Sequence, residues 1–217
     1  MTDRYAHEIA YRGKDLVDKL SEKLIVVCGV GALGSNLADL LVRQGFSNLR
    51  VIDMDRVEDH NINTQLFGDR DVGDLKVSAT MNRIFEDTGV EIDTNNKKLT
   101  EKTVKSMLKG ADLVIDVFDN TESRRILHEY CKDNDISCIH GGMFEDYGEV
   151  AWNENYSVPP DPPKDAIDVC DYPLTRNLVM FVITILAEEV VNFCLNDKPR
   201  FKSWSITLKD MKISTYR

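Results

Sequence analysis

Residues 24–34 read LIVVCGVGALG, an apolar run from Leu24 to Cys28 that opens directly into the glycine turn of Gly29–Gly34. Leu33, Leu37, Leu40 and Leu41 follow at the spacing of one helical face. A strand, a tight glycine turn and a helix set backbone N–H groups and a helix N-terminus against bound phosphate, which makes Gly29, Gly31 and Gly34 nucleotide-contacting candidates. The same unit serves NAD and FAD proteins, so alone it leaves the nucleotide open. Roughly twenty residues on, the run LRVID closes on Asp53, where an acid holds a ribose hydroxyl in either kind of site. Asp55 adds a second carboxylate just past that strand.

Farther along, DMDRVEDHNINTQLF (53–67) and the following DVGDLKVSA resemble the D-x-D-x-V-x-x-S-N-L-x-R-Q signature and trailing G-x-x-K of the ThiF/MoeB/HesA superfamily, to which the E1-like ubiquitin-activating enzymes belong. Asp53, Asp55, Val57, Asn61, Gln65, Gly73 and Lys76 fall in register. VIDVFDNTESR resembles the D-x-x-D-N-x-x-x-R segment of the same superfamily and aligns Asp116, Asp119, Asn120 and Arg124. A nicotinamide oxidoreductase accounts for the glycines and Asp53 but gives Asn61, Gln65, Lys76 and Asp119-Asn120 no work.

The resemblance implies an ATP-dependent adenylyltransferase that uses Mg2+ and activates the C-terminal carboxylate of a ubiquitin-like or sulfur-carrier protein ending in Gly-Gly. Adenylation of a peptide or small carboxylate, and a catalytically weak nucleotide-bound scaffold, are the alternatives. It further implies a homodimer, whose N-terminal segment reaches the partner subunit. Asn61, Lys76, Asp119 and Cys170 are the implied catalytic residues. Gly29, Gly31, Gly34, Asp53, Asp55, Gln65 and Asn120 would hold the nucleotide, with Asp119 as the metal ligand. Lys76 is the expected cation near the β- and γ-phosphates, while Asn61 and Gln65 supply neutral hydrogen bonds. An aspartate before Asn-Thr is also a good helix cap, so Asp119 has a structural alternative.

Two positions depart from the superfamily pattern. Thr64 and His7 stand where arginines usually neutralise the triphosphate, and such an arginine is worth about three to five orders of magnitude in rate. Arg4, Arg56, Arg70 and Arg124 are the nearest replacements in sequence. The alternatives are His7 as a weaker donor and a slow reaction. Cys170, in VCDYPLTRN, sits where relatives carry a thioester-forming or sulfur-carrying cysteine. A thiolate there captures an acyl adenylate, but Asp168 and Asp171 beside it raise a thiol's pKa, which leaves a structural role open.

The chain has 217 residues and a formal charge of -10, which argues against nucleic-acid binding because a duplex reader needs a basic face. No signal peptide is evident near the N-terminus. The five cysteines form an odd set that reads as reduced thiols in a cytoplasmic protein, and Cys28, Cys131, Cys138 and Cys194 fall in apolar patterns expected to be buried. No C-x-x-C pair exists, so no structural zinc is expected. His128 and His140 show no metal-ligand spacing, and His60 is either a site-lining or an ordinary loop residue. The longest apolar stretch, 178–187, is broken by Glu188-Glu189 and is short of a bilayer span, so no membrane contact is expected.

Alternating patterns place strands at 23–28, 49–53, around 90–98, 112–118 and 136–140, with helices between them, one of which aligns Val77, Met81, Ile84 and Phe85 on one face. The expected architecture is a single α/β domain over 1–217, with a Rossmann-like, doubly wound, mainly parallel sheet and C-terminal antiparallel strands. It divides into an N-terminal helix (3–19), a nucleotide-binding half (22–142) and a C-terminal loop, helix and hairpin (143–217). The proline-rich segment 157–173 reads as an irregular loop, either over the site or a plain connection.

Overall fold

The computed structural model describes residues 4–160 and 173–216. Eight strands form one sheet: β1 (Ile25–Cys28), β2 (Leu49–Ile52), β3 (Asp93–Asn95), β4 (Leu113–Asp116), β5 (Cys138–Phe144), β6 (Tyr147–Trp152), β7 (Ser203–Thr207) and β8 (Lys212–Tyr216). Their spatial order is β3-β2-β1-β4-β5-β6-β7-β8. The strands from β3 to β5 pair in parallel and the rest antiparallel, as the sequence predicts. Cys28 lies opposite both Ile52 and Asp116, so the loops after β1, β2 and β4 leave the sheet at one edge. The chain reverses direction of winding between β1 and β4, the crevice where open α/β sheets bind ligands.

Among the described residues, seven α-helices flank the sheet: α1 (Ala6–Arg12), α2 (Lys14–Glu22), α3 (Ala32–Gln44), α4 (Lys76–Thr88), α5 (Val104–Met107), α6 (Thr121–Asp133) and α7 (Arg176–Asn196). Strand alternation sends Ile25, Val27, Leu113 and Ile115 into a core shared with α3, α4 and α7. Val26, Cys28 and Val114 face a second core closed by α5 and α6. The sheet is therefore covered on both faces, as parallel strands require.

Helix α7 has the length and composition of a membrane span, yet 61% of its apolar window is buried in the protein. Gly141 and Gly148 let it approach the sheet, since a Cβ at either would stand 2.8 Å from Leu186 Cδ1 or 2.5 Å from Val182 Cγ2. The two acids that interrupt its apolar run take opposite directions. Glu188 is exposed and accepts from Arg12, whereas Glu189 is buried and accepts the indole N–H groups of Trp152 and Trp204 at 3.1 and 3.2 Å. An ordinary ladder of polar satisfaction thus replaces the expected simple interruption.

Several boundaries differ from the sequence expectation. The single helix expected over 3–19 is two helices, broken at Gly13, whose φ of 89° no helix accommodates. Leu16, Val17 and Leu20 of α2 are buried, while α1 buries none of its residues. The strand expected around 90–98 is only Asp93–Asn95, an edge strand with a single neighbour. On α4, Val77 and Ile84 are buried but Phe85 is exposed, because one residue past Ile84 lies about 100° around the helix. β5 runs on to Phe144, past the Gly141-Gly142 pair expected to end it.

Candidate nucleotide site

The site begins with the turn between β1 and α3. Gly29 has φ of 98°, and a Cβ there would lie 2.7 Å from the Val117 carbonyl oxygen, which brings the turn against the loop after β4. Gly34 packs tighter still, since its Cβ would overlap the Gly29 carbonyl oxygen at 1.8 Å. Gly31 is different. It precedes α3 directly, and nothing stands within 4 Å of where its Cβ would be. The open side of Gly31 and the first N–H groups of α3 together make a concave, electropositive edge suited to phosphate.

Asp53, at the end of β2, ties this turn down. Its Oδ2 accepts from the Val30 N–H at 2.7 Å and its Oδ1 from the Asp55 N–H at 2.8 Å. Burial pushes its carboxyl up, against the opposing pull of those two N–H groups and of Lys76. Each oxygen keeps a lone pair for a ribose hydroxyl. Lys76, first residue of α4, is buried rather than solvent-exposed; its Nζ lies 3.6 Å from Asp55 Oδ2, and its N–H donates to the Asp55 carbonyl at 2.9 Å.

The 61–65 turn packs against the start of α3. Asn61 is buried and its Oδ1 accepts from the Glu58 N–H at 2.9 Å, so its carbonyl oxygen shapes the turn and its NH2 is the group left for a ligand. Gln65 Oε1 is buried with no hydrogen-bond partner. A buried amide oxygen of this kind is costly unless something else satisfies it, and an incoming polar ligand does. Asn36 Nδ2 donates to the Thr64 carbonyl at 2.8 Å, and the Leu66 N–H donates to Ser35 Oγ at 3.1 Å. His60 is an exposed loop residue beside Glu58.

After β4 comes the pair Asp119-Asn120. Asn120, not Asp119, caps α6: its backbone is extended and its Oδ1 accepts from the Ser123 N–H at 2.9 Å. Asp119 is exposed, with a long 3.4 Å contact from Asn120 Nδ2. The capping alternative for Asp119 is thereby removed, and Asn120 takes the cap through its Oδ1.

Behind the site lies a buried polar cluster that sequence reasoning did not assemble. Asp116 Oδ2 lies 2.8 Å from His140 Nδ1 and 3.4 Å from Arg124 Nη1. Arg124 also donates to the Gly141 carbonyl and the Tyr156 hydroxyl, and Tyr156 stacks on His140 with ring centroids 3.7 Å apart. Asn153 Oδ1 lies 2.7 Å from His140 Nε2 and 2.6 Å from His128 Nδ1. Burial alone would raise the Asp116 carboxyl, but Arg124 and His140 overcome it and hold it below the ordinary value. Cys138 Sγ lies 3.6 Å from His140 Nε2, yet it is buried and its thiol is pushed well up by desolvation, so this cysteine is inert. Cys28, Cys131 and Cys194 are buried as expected, the last pushed up to about 12 by burial. Cys170 lies outside the described residues.

The ThiF family profile matches residues 5–217. The chain belongs to the ThiF family. Among relatives, SUMO-activating enzyme subunit 2 of Dictyostelium discoideum is 30% identical over 154 residues, covering 70% of this chain and 23% of its own length. The sulfur carrier protein ThiS adenylyltransferase of Bacillus subtilis is 28% identical over 154 residues, covering 68% of this chain and 46% of its own length. This ThiF chain therefore spans less than half of either relative. E. coli MccB, solved with MccA-N7isoASN, superposes with a TM-score of 0.84 at 18% identity, covering 100% of this chain and 72% of MccB. That likeness establishes the shared Rossmann-like fold.

Proposed function

We propose that this ThiF-family chain is an ATP-dependent adenylyltransferase acting on the C-terminal carboxylate of a ubiquitin-like or sulfur-carrier protein. The observation that carries the reading is Lys76, a cation buried beside Asp53 and Asp55 at the edge where the glycine turn opens. A dinucleotide site needs the acid but has no use for that lysine. In the reaction, a carboxylate oxygen bonds to the α-phosphorus of ATP as the bond to the bridging oxygen breaks. Pyrophosphate leaves with that electron pair, and the product is an acyl adenylate. Lys76, the N–H groups around Gly31 and the amide of Gln65 are fixed before the reaction, so they meet the growing charge on phosphate oxygens without reorganising.

Asp119 fits a magnesium ligand. Mg2+ is held by one or two carboxylates together with substrate phosphates and water, and no cluster of three or more His, Cys, Asp or Glu is needed or present among the described residues. Bound there, the ion supplies Lewis-acid neutralisation of the phosphate oxygens. The names of the SUMO-activating and ThiS-adenylylating relatives support a small protein acceptor. Adenylation of a peptide or small carboxylate is the second reading, supported by the overlap of this whole chain with 72% of MccB, solved with MccA-N7isoASN. A homodimer is part of the proposal, since α1 buries none of its own residues and leaves Tyr11 81% exposed.

Calorimetry tests the nucleotide directly: Mg-ATP should bind and NAD should not, and tight NAD binding without ATP binding refutes the proposal. With an acceptor in hand, Cys170→Ala distinguishes direct use of the adenylate from thioester capture. Pyrophosphate exchange should persist, because adenylation precedes thiol attack, while any thiol-cleavable adduct should vanish if Cys170 is the acceptor.

A further inference from the structure

We propose that Arg176, the first residue of α7, is the guanidinium that contacts the distal phosphates of the nucleotide. The inference rests on the proposed ATP site and names one of its residues. Of the four arginines nearest in sequence to the site motifs, Arg124 and Arg70 are held by carboxylates, and Arg56 and Arg4 reach backbone carbonyls outside the 61–65 turn. Arg124 is buried against Asp116, Arg70 pairs with Glu86, Arg56 donates to the Gly73 carbonyl, and Arg4 donates to the Thr88 carbonyl. Arg176 instead comes from far along the chain to the 61–65 turn. Its Nη1 donates to the Gln65 carbonyl at 3.1 Å and its Nη2 to Asn36 Oδ1 at 3.2 Å.

Three features of that placement point to an external anion. Both partners are neutral, and among the described residues no carboxylate pairs with Arg176, although the chain carries ten more acidic than basic charges. A guanidinium has five N–H donors, and among the described residues these two bonds leave the others without a partner. The residue also occupies the first turn of a 21-residue helix, where the macrodipole is positive and a cation is unfavourable without a counterion. The surroundings agree. Asn36 lies roughly 7.5 Å along α3 from Gly31, and its side chain also bonds Thr64 in the same turn. Arg176 thus stands against α3 beyond Gly31, and the proposal assigns it the β- and γ-phosphates rather than the α-phosphate.

The test compares Mg-ATP with AMP on the full chain by calorimetry. Arg176→Ala should weaken Mg-ATP by about ten- to a hundredfold, the value of a charged hydrogen-bonding contact, and leave AMP affinity within about twofold. Arg176→Lys, which keeps the charge but not the fork, should fall between. A general structural defect moves both nucleotides together and so contradicts the inference. Unchanged Mg-ATP affinity in Arg176→Ala, against a wild type that binds it, overturns the role of Arg176 alone. A wild type that binds AMP but not Mg-ATP overturns the proposed ATP site and this residue's role with it.

Discussion

Lys76 Nζ stands 3.6 Å from Asp55 Oδ2, and it is the lysine that is buried, with 11% of its side chain exposed against 52% for the aspartate. The pair inverts the usual arrangement, in which a long lysine stem carries its charge out to water. What keeps the ammonium in place is the junction of β2 and α4: the Lys76 N–H donates to the Asp55 carbonyl, and Arg56 bridges to Leu75 beside it. A cation fixed in this way serves a ligand at the groove without a search through rotamers.

Lys76→Met keeps the stem and removes the charge. Nucleotide binding should lose about 1.5–3 kcal/mol, the value of a charge-assisted contact, with the fold retained because the stem still packs. Calorimetric affinity for Mg-ATP unchanged from wild type would assign Lys76 to structure alone.

Asp119 and Asn120 are adjacent but should separate cleanly on mutation. Asn120→Ala removes the α6 cap and should cost about 1 kcal/mol of stability. Asp119→Ala removes an exposed carboxylate and should leave stability within about 0.5 kcal/mol, while abolishing pyrophosphate exchange. Urea unfolding and exchange measured on both variants check this; the reverse pattern would make Asp119 the structural residue.

The fold was legible because its signals are local. The glycine turn, the apolar strands and the hairpin around Lys209-Asp210 each announce themselves within a few residues. The edge strand β3 was overextended, since with one neighbour its boundary is set by pairing rather than pattern. The glycine turn and Asp53 follow from linear spacing and Lys76 from register with the ThiF pattern, and the structure puts Asp53 against the turn and Lys76 beside Asp55. The Asp119-Asn120 division was not, because which residue caps depends on the extended φ of -118° and ψ of 139° at Asn120. Arg176 was out of reach altogether: it meets Asn36 across 140 residues. Asn36 did carry one signal, a polar residue inside an apolar helical face.

The Asp116 cluster makes acid stability measurable. Its carboxyl is held below the unfolded value, so its contribution is present above the unfolded pKa, near 3.9, and is lost as pH falls through the folded value. Asp116→Asn should flatten the acid limb of urea stability against pH and cost about 3–5 kcal/mol at neutral pH, because Arg124 is left buried without its counter-charge. An acid limb as steep as wild type contradicts this account.

The N-terminal helix tests the assembly. α1 is held by Arg12, which bonds Glu8 and Glu188, yet none of its residues is buried. A second copy of the chain is expected to cover it. Light scattering at micromolar protein should give a dimer, and removing residues 1–12 should give a monomer with weakened nucleotide binding; a full-length monomer that retains activity rules the dimer out.

Gly31 and Gly34 lie three residues apart and predict opposite outcomes for the same substitution. A methyl at Gly34 would sit 1.8 Å from the Gly29 carbonyl oxygen, a clash with backbone that no rotamer relieves, so α3 must move off the turn. Gly34→Ala should therefore lower the melting temperature sharply or prevent folding. At Gly31 nothing lies within 4 Å of the new methyl, but the ψ of -144° falls outside the regions that L residues favour, so Gly31→Ala should fold at a cost of about 1–3 kcal/mol in stability. The space it fills is the open side that faces the proposed phosphates, and Mg-ATP affinity should fall at least tenfold, about 1.4 kcal/mol. Thermal melts and calorimetry on the two variants read both effects. If Gly31→Ala binds Mg-ATP as tightly as wild type, the phosphates do not approach the turn from that side.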